Sequence, residues 1–377
     1  MTAAPLKIAV MEFLANPGGV TSVLTQLGRY GKLPGAELTF IDPLPKGTPK
    51  DFGLPVVSLP VWPQWTTLGT GSAGARLRQA VAAAGYPLYA LTLARYLRRH
   101  GYSGLYVHLK KGIVVGALAA RLAGLPLIIH AHGFTGPQEI SGPLRWAFKQ
   151  AREVIAVSGD VRDILVAAGL DPTKVSVVYN GIHQEEWRRL SVARQPDRIL
   201  YVGAVQRVKG VHTLIEALAR LPEPRPELLI VGTAPLGGDP DYLPSLQALC
   251  RTLGIEDRVQ FLGHRSDVGV LMAGSRVLVL PSLVNESFGL VLVEAACTGT
   301  LALGSRRGGI PEVLGDPELL FPAGDVAALS ALLAQALEND EWYTAKVQSL
   351  AAHVEQFSIE RQAAQLGAVM QRAVRGT

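Results

Sequence analysis

The sequence predicts an α/β protein built from two doubly wound parallel-sheet domains, and three observations support this prediction. The chain has 377 residues, whereas single domains usually run to about 100–200 residues. Short apolar runs alternate with helical patterns, as in parallel strands joined by crossover helices. The alternation comes in two sets, which a polar, arginine-rich stretch at 187–197 separates.

The first set predicts a domain at residues 1–187. Its apolar runs predict strands at 7–13, 37–42, 55–59, 104–108, 126–132, 154–158 and 175–179. Helical patterns lie at 19–31, 75–100 and 112–123, and between the last two strands. We expect the long helix at 75–100 to be interrupted near Gly85-Tyr86-Pro87, because proline lacks the N–H that a helix interior needs.

The second set predicts a domain at 188–358, followed by a helix at 359–377 that packs back on the first domain. Its strands are predicted at 198–203, 227–232, 259–262, 276–280 and 301–304, and its helices at 211–221, 243–253 and 288–298. In open parallel sheets, ligands bind at the carboxyl ends of the strands. We therefore expect the two domains to face a cleft lined by residues that follow strands.

Composition argues against several classes of protein. Only two cysteines, Cys250 and Cys297, are present, too few for a disulfide framework or a cysteine-based zinc site. The longest apolar stretch, 114–131, contains Arg121 and a Gly-Leu-Pro turn, so it predicts helix, turn and strand rather than a membrane span. The first residues lack the basic start and long apolar run of a signal peptide. We expect a cytoplasmic protein.

Charge is distributed unevenly along the chain. Residues 1–182 carry 18 lysines and arginines against 9 acidic residues, a net charge of +9, while residues 183–377 carry 18 against 22, a net charge of −4. A basic domain favours an anionic partner, either an acceptor or a membrane surface that the protein contacts peripherally. A basic surface that serves only solubility explains the count equally well.

The segment 285–290 carries the first chemical signal. It follows a predicted strand and opens a helix, and the free N–H groups and dipole of a helix N-terminus favour phosphate. Inside the same helix, Glu294 interrupts a run that shows no solvated face. A buried carboxylate needs hydrogen bonds, which the ribose hydroxyls of a nucleotide would donate. Backbone N–H groups or an arginine from elsewhere would satisfy it as well.

Glu286, seven intervening residues and Glu294 resemble the Glu-x7-Glu signature of the family 4 retaining glycosyltransferases. Further motifs resemble those of the family in the same order along the chain. They are Pro17-Gly18-Gly19-Val20, Val157-Ser158, Val178-Tyr179-Asn180-Gly181-Ile182, Tyr201-Val202-Gly203 with Lys209-Gly210, and Gly308-Gly309-Ile310-Pro311-Glu312. The match covers nearly the whole chain and is densest from Ser158 to Val313.

The resemblance implies the GT-B fold, in which two Rossmann-like domains face a cleft. It also implies that a hexosyl or N-acetylhexosaminyl group moves from a nucleotide-sugar to an acceptor hydroxyl with retention of anomeric configuration. A UDP-sugar is the favoured donor and GDP-mannose the alternative. The acceptor would be an anionic, carbohydrate or lipid molecule in glycolipid, polysaccharide or glycoconjugate synthesis. We expect no nucleic-acid partner, no cofactor and no metal.

Lys209 and Glu286 are the leading candidates for the donor site. Lys209 lies between a strand end and a helix, where its ammonium can meet the donor diphosphate as charge develops there. A solvated surface lysine is the alternative interpretation. By family resemblance, Glu286 binds hydroxyls of the donor sugar, and backbone N–H groups contribute nearby from Phe288, Gly289 and Leu290.

Other positions at the donor site depart from the family pattern or carry a weaker signal. Gly18 and Gly19 permit close backbone approach to a phosphate or sugar, although an ordinary strand–helix turn uses glycine as often. Ala204 stands where the family usually has arginine, so Arg207 is the candidate replacement at the diphosphate. His183 stands where aspartate is usual.

Two histidines end the predicted strand at 126–132. His132 matches the family histidine that lies by the reacting sugar, and we assign it to the catalytic site. His130 lies two residues earlier, hence on the same face of the strand. Such a pair also resembles part of a metal site, but no acidic residue or cysteine completes a ligand set in the sequence nearby. We therefore expect His130 to be a satisfied core residue.

Position alone predicts base recognition at the strand ends that carry Thr233, His264 and Arg265. His264 and Arg265 are equally consistent with solvated side chains. The segment Asp239-Pro240-Asp241 formally spells the Asp-x-Asp metal motif of the other glycosyltransferase fold. Aspartates between a strand and a helix are expected as turn and cap residues, which is the interpretation we prefer.

Two alternative functions share this architecture. A sugar-nucleotide epimerase has the same pair of domains, but Lys209 with Glu286 and Glu294 argues against it. A non-catalytic nucleotide-sugar-binding protein would not need that lysine and pair of glutamates. A dehydrogenase would need Gly-x-Gly-x-x-Gly after a strand, and the first strand offers only Gly18-Gly19.

Overall fold

The computed structural model describes residues 4–13, 19–44, 52–61, 73–134, 136–234 and 238–376. The chain divides into two compact units. The first unit takes Met1–Gly181 and Ile359–Thr377, and the second takes Ile182–Ser358. Each unit is described by itself.

The first unit contains, within the described residues, one sheet of seven parallel strands. The strands are β1 (Leu6–Met11), β2 (Ala36–Asp42), β3 (Val56–Ser58), β4 (Gly104–Val107), β5 (Leu127–Ala131), β6 (Glu153–Ala156) and β7 (Val175–Val177). Their order across the sheet is β3-β2-β1-β4-β5-β6-β7. Every residue of β4 and β5 is buried, as expected of parallel strands covered by helices on both faces.

Helices connect these strands. They are α1 (Gly19–Tyr30), α2 (Ala73–Arg99), α3 (Lys110–Ala123), α4 (Gly142–Gln150) and α5 (Gly159–Ala167). The predicted interruption of α2 is wrong, because the helix continues through Pro87. One missing backbone hydrogen bond is offset by the buried apolar face that follows, which includes Tyr89, Leu93 and Leu97.

The second unit contains, in its described part, a sheet of six parallel strands. The strands are β8 (Gln195–Val202), β9 (Glu227–Val231), β10 (Val259–Gly263), β11 (Ser275–Leu280), β12 (Leu301–Ser305) and β13 (Leu320–Phe321). The helices are α6 (Gln184–Arg188), α7 (Val211–Ala219), α8 (Tyr242–Leu253), α9 (Val268–Ala273), α10 (Leu290–Cys297), α11 (Ile310–Leu314), α12 (Val326–Glu338) and α13 (Asp340–Val354). The strand order is β10-β9-β8-β11-β12-β13.

Both sheets are doubly wound. In each, the strand order runs outward from the unit's first strand and then reverses, so that β1 lies beside β4 and β8 lies beside β11. The predicted fold class, two Rossmann-like parallel-sheet domains, is confirmed. The reversal creates a crevice at the carboxyl ends of the two adjacent strands, where ligands bind in such sheets.

The chain passes from the first unit to the second after Gly181, rather than after Trp187 as the polar composition indicated. The reason is hydrogen bonding that composition does not reveal. The backbone N–H of Ile182 donates to the carbonyl of Phe357 at 3.1 Å, and the Gln184 side chain donates to the carbonyl of Val354 at 2.6 Å. These bonds tie α6 to the second unit.

The last helix, α14 (Ile359–Arg375), belongs to the first unit. Its Gln362 Oε1 accepts a hydrogen bond from the backbone N–H of Gly181 at 3.0 Å. Its Arg372 donates to the Ser176 hydroxyl at 3.0 Å and pairs with Glu153 at 3.4 Å. Among the described helices, none has the length and apolar character that a membrane span requires.

Candidate active site

Lys209 and Glu286 lie where the strand order of the second sheet reverses. Lys209 follows β8 in a turn of 3₁₀ helix at Arg207–Lys209, and Glu286 follows β11. The Lys209 Nζ donates to Glu286 Oε1 at 2.5 Å. Ser282, also in the loop after β11, donates its hydroxyl to the same carboxylate oxygen. The two predicted residues are therefore in direct contact, and their side chains are 26% and 15% exposed.

Glycines at two positions allow this contact. Gly210 has φ +69°, and a Cβ there would lie 2.0 Å from the carbonyl oxygen of Pro281. Gly308 has φ +56°, and a Cβ there would lie 2.1 Å from the carbonyl oxygen of Glu286. Both combine a left-handed backbone with close approach, which only glycine tolerates. The loops after β8, β11 and β12 pack backbone to backbone as a result.

Backbone hydrogen bonds complete this packing. The Leu283 N–H donates to the carbonyl of Val208 at 2.8 Å, and the Gly309 N–H donates to the carbonyl of Glu286 at 2.7 Å. The position of the Glu286 carboxylate is thus set by its own backbone as well as by its ion pair. A rigid carboxylate–ammonium pair at the carboxyl ends of the central strands is suited to recognition of a ligand with both hydroxyls and negative charge.

The helix α10 begins directly after this loop. Gly289 precedes its first residue with φ +98°, and the first N–H groups of any helix have no intrahelical partner. Leu290 is the first helical residue. The Phe288 ring is buried 5.2 Å from that of Phe357, so its side chain belongs to the core and only its backbone remains a candidate for ligand contact.

Glu294 lies in α10 between the buried residues Val293 and Ala295. Within the described part of the chain, its carboxyl has no hydrogen-bond partner, and burial raises its pKa to about 7. An unpaired, desolvated carboxyl gains free energy when a ligand donates hydrogen bonds to it. The predicted alternatives, a backbone or arginine partner, are not found among the described residues.

The two predicted arginines are already paired. Arg207 donates to Asp239 at 2.8 Å and lies 5.1 Å above the Tyr242 ring. Arg265 donates to both carboxylate oxygens of Asp267, at 2.8 and 2.6 Å. Each arginine would have to share or exchange these partners to contact a diphosphate or base.

Asp239 is engaged as a turn residue. Its side chain accepts from the backbone N–H of Asp241 at 3.0 Å as well as from Arg207. The hydrogen bond from Arg207 is the main reason why the Asp239 pKa lies below its usual value. This local bonding agrees with the turn interpretation of Asp239-Pro240-Asp241. Asp241 precedes α8 but makes no side-chain cap bond.

Thr233 and His264 occupy neighbouring strand ends. The carboxyl ends of β8, β9 and β10 are joined by backbone bonds, from the Gly203 N–H to Val231 at 3.0 Å and from the Gly232 N–H to Gly263 at 2.8 Å. Thr233 and His264 follow directly and are exposed. They stay predictions for base recognition.

The first unit carries the predicted His132, directly after β5. The residue is half-buried, and its Nε2 lies 2.9 Å from Nδ1 of His108. His130 is fully buried, and the Tyr106 hydroxyl lies 2.5 Å from its Nδ1. Burial lowers the pKa of His132 to about 3 and lowers those of His108 and His130 well below the usual value. All three imidazoles are therefore uncharged at neutral pH.

The glycine loop is only partly described. Gly18 lies outside the described residues, while Gly19 begins α1. Glu12 follows β1 and is fully buried, and its carboxylate accepts from the backbone N–H groups of His108 and Leu109. Burial is the main reason why the pKa of Glu12 rises to about 8.

Ser282, His108 and Glu12 were not predicted from the sequence. Each follows a strand directly or within two residues, and that position is the signal that could have identified them. His108 and His132 follow β4 and β5, which are neighbours in the sheet. Strand adjacency is a property of the sheet, and the sequence alone did not establish it.

Comparison with known families matches both halves of the chain. Residues 17–186 match the family model described as Glycosyltransferase Family 4. Residues 183–352 match the model described as Glycosyl transferases group 1. The two matches together span residues 17–352 and meet near the boundary between the two units.

Two curated relatives have similar sequences. The N-acetyl-alpha-D-glucosaminyl L-malate synthase of Bacillus anthracis is 29% identical over 280 residues, which cover 68% of this chain and 72% of the relative. The D-inositol 3-phosphate glycosyltransferase of Corynebacterium urealyticum is 31% identical over 216 residues, 55% of this chain. This chain covers about half, 51%, of the length of that second relative.

A solved structure resembles this one along nearly its full length. HepE of Anabaena, solved in complex with UDP and glucose, superposes with a TM-score of 0.79 at 25% sequence identity. The superposition covers 97% of this chain and 99% of HepE.

Proposed function

The chain belongs to the family 4 glycosyltransferases, and from this we propose that it transfers a hexose-type sugar from a nucleotide-sugar to an acceptor hydroxyl with retention of configuration. The observation that carries the proposal is the contact of Lys209 with Glu286 at 2.5 Å, beside the reversal of strand order. It places an ammonium and a carboxylate together where a sheet of this type binds nucleotides.

We propose UDP-sugars as donors, with GDP-mannose as the alternative. The similarity to HepE, which was solved with UDP and glucose, supports a uridine nucleotide. The ribose hydroxyls would donate to the unpaired Glu294 carboxyl, and Thr233 and His264 would lie near the base.

Lys209 and the N-terminus of α10 would stabilise the negative charge of the diphosphate. The ammonium has three N–H donors, so it can keep its hydrogen bond to Glu286 while it also donates to a phosphate oxygen. As the bond from the anomeric carbon to the leaving oxygen breaks, charge grows on the diphosphate and this interaction strengthens. We therefore propose that transfer of the sugar from the donor needs no divalent cation.

Retention would proceed on one face of the sugar. The acceptor oxygen forms its bond to the anomeric carbon on the side from which the diphosphate leaves, and the acceptor proton passes to a donor phosphate oxygen. The Glu286 carboxylate holds two donors, Lys209 and Ser282, which suits sugar recognition better than nucleophilic attack. His132 stays our candidate in the first unit for contact with the reacting sugar.

A direct assay tests this proposal. Incubation with UDP-sugars and GDP-mannose, followed by NMR of the product, should show an anomeric configuration equal to that of the donor. Activity should persist in excess EDTA. An inverted product would refute retention, and full loss in EDTA with recovery on adding Mn²⁺ would refute metal-free transfer. Binding of nucleotide-sugar without transfer or donor hydrolysis would favour the non-catalytic alternative, and a changed free sugar-nucleotide would favour an epimerase.

The acceptor side is proposed to meet an anionic molecule or membrane surface. In the first unit, Arg95, Arg98 and Arg99 on α2 and Lys110 and Lys111 on α3 are exposed. Each basic residue close to the surface of an anionic membrane contributes about 1 kcal/mol to binding. The cytoplasmic location expected from the sequence stays a prediction.

Sedimentation with vesicles measures this contact. At low salt, vesicles with anionic lipid should retain more protein than neutral ones, and Arg95→Glu with Arg99→Glu should reduce the difference. The matched control is Arg251→Glu with Arg258→Glu in the second unit. Equal retention on both kinds of vesicle would remove the membrane proposal and leave a non-membrane acceptor.

A further inference from the structure

A cluster of three histidines lies at the carboxyl ends of β4 and β5. His108, His130 and His132 can each place one ring nitrogen so that all three atoms lie within 4.8 Å of one another. Glycosyl transfer as proposed above uses only His132. The other two imidazoles therefore need a separate explanation.

Two of these rings contain unsatisfied nitrogens. The Nε2 atoms of His108 and His130 are buried and have no hydrogen-bond partner among the described residues. The two residues are 2% and 0% exposed. A buried polar atom without a hydrogen-bond partner is destabilising. Two histidines with such atoms are therefore not expected in a core whose only role is packing.

The opposite ring nitrogens are oriented by neighbours. Nδ1 of His130 lies 2.5 Å from the Tyr106 hydroxyl, and Nδ1 of His108 lies 2.9 Å from Nε2 of His132. Histidines that ligate metals generally use one nitrogen for the ion and the other for a hydrogen bond that sets the ring orientation. His108 and His130 show that arrangement, with both Nε2 atoms available.

We propose that His108, His130 and His132 bind one divalent transition-metal cation of the zinc and cobalt type. His108 and His130 would use Nε2. The His132 ring would turn away from Nδ1 of His108 before it ligates, because a neutral imidazole that binds a metal through one nitrogen carries a proton on the other, and two N–H groups cannot hydrogen-bond to each other. Neutral imidazole suits Zn²⁺, Co²⁺, Ni²⁺ and Cu²⁺, whereas Mg²⁺ and Ca²⁺ prefer oxygen ligands. His132 is the half-buried residue of the cluster, whereas the other two are buried, so the ion would enter on its side.

Binding requires a small adjustment of the rings. Zinc–nitrogen bonds of about 2.0–2.1 Å with tetrahedral angles bring ligand nitrogens to about 3.4 Å from one another. One nitrogen of each ring lies within 4.8 Å of the other two, so the rings must turn before three ligand nitrogens reach this spacing. Three protein ligands leave a fourth position for water.

One consequence rests on the proposed function. A cation held by His132 would remove that ring from the reacting sugar, so zinc or cobalt should inhibit transfer although transfer itself needs no metal. The binding test below contains no donor or acceptor, so its outcome does not depend on whether glycosyl transfer occurs.

Cobalt titration of the EDTA-treated and dialysed full-length protein tests the site. We expect one equivalent of Co²⁺ to bind with the visible absorption of a four-coordinate cobalt site. His130→Gln should weaken binding by at least about tenfold. The matched control is His100→Gln, which changes an exposed histidine outside the cluster and should leave binding unchanged.

Two results would overturn the proposal. One is a wild-type protein that takes up no stoichiometric Co²⁺, and the other is a folded His130→Gln variant that binds as tightly as wild type. Circular dichroism verifies folding. If His130→Gln unfolds, Tyr106→Phe decides, because removal of the orienting hydroxyl should weaken cobalt binding, and unchanged binding would contradict the site.

Discussion

Replacement of Lys209 by alanine should lower kcat by about 10²- to 10³-fold, which is the usual effect of removing one preorganised group that stabilises transition-state charge. The ammonium lies at the end of a loop held by Gly210 and by backbone bonds to the loop after β11. The Lys209 ammonium is in position before the substrate binds, so little structural reorganisation is needed during the reaction. Single-turnover kinetics with a saturating donor measure the effect on chemistry directly.

Lys346→Ala is the matched control for this variant. Lys346 is also ion-paired in the second unit, with Asp316 at 2.7 Å, and is 15% exposed. Its loss removes a partly buried ion pair without touching the predicted site, so kcat should stay near wild type. If Lys209→Ala retained kcat within about tenfold of wild type, or if both lysine variants lost activity equally, the proposed role of Lys209 would be wrong.

Glu294→Ala should weaken nucleotide binding by about 10- to 150-fold, which corresponds to about 1.5–3 kcal/mol for hydrogen bonds to a charged group. The ribose does not react, so the lost interaction is common to the ground state and the transition state. KM should therefore rise more than kcat falls. Isothermal calorimetry with the nucleoside diphosphate measures the affinity.

Glu286→Gln should show the opposite pattern. The anomeric carbon becomes cationic as the diphosphate leaves, so the negative charge of Glu286 contributes more as the reaction proceeds. This variant should chiefly lower kcat and should bind free nucleoside diphosphate, which has no sugar, almost normally. Loss of nucleotide affinity in Glu286→Gln together with normal affinity in Glu294→Ala would contradict the assignment of the pair.

The pH dependence of binding gives a second readout for Glu294. Burial raises its pKa to about 7, so the carboxyl is mostly protonated near pH 6 and mostly ionised near pH 8. Ribose hydroxyls donate to the ionised form, so wild-type affinity should rise as pH increases through about 7. Glu294→Gln cannot ionise and should lose this part of the dependence. The titration of the nucleotide phosphate remains in both proteins and serves as the reference.

The structure gives the predicted site residues different surroundings. Lys209 and Glu286 are in contact, and Glu294 is a half-buried, unpaired carboxyl as its apolar surroundings indicated. Arg207, proposed as a replacement for a missing arginine, is paired with Asp239, and its contact with the diphosphate stays a prediction. An aspartate in a turn can be predicted from the residues around it, but the arginine that reaches it from another loop cannot.

The histidine cluster likewise depends on contacts between residues that are distant in the sequence. His130 was expected to be a satisfied core residue, and the structure buries it fully but leaves Nε2 without a partner among the described residues. No acidic residue or cysteine nearby in the sequence completed a ligand set with His130 and His132. The third nitrogen comes from His108, which is 24 residues from His132 in the chain.

The sequence by itself determined the two doubly wound sheets, because alternating apolar runs and helical periodicity are local signals that each segment carries alone. It also identified several of the strand ends that carry chemically active side chains, among them those of Lys209 and Glu286. Only the tertiary structure decided which of those ends meet. Lys209 and Glu286 are separated by 77 residues, and their contact depends on the pairing of β8 with β11 and on glycines whose missing Cβ atoms let three loops pack together. Strand order and backbone approach are collective properties of the fold, and no single segment specifies them.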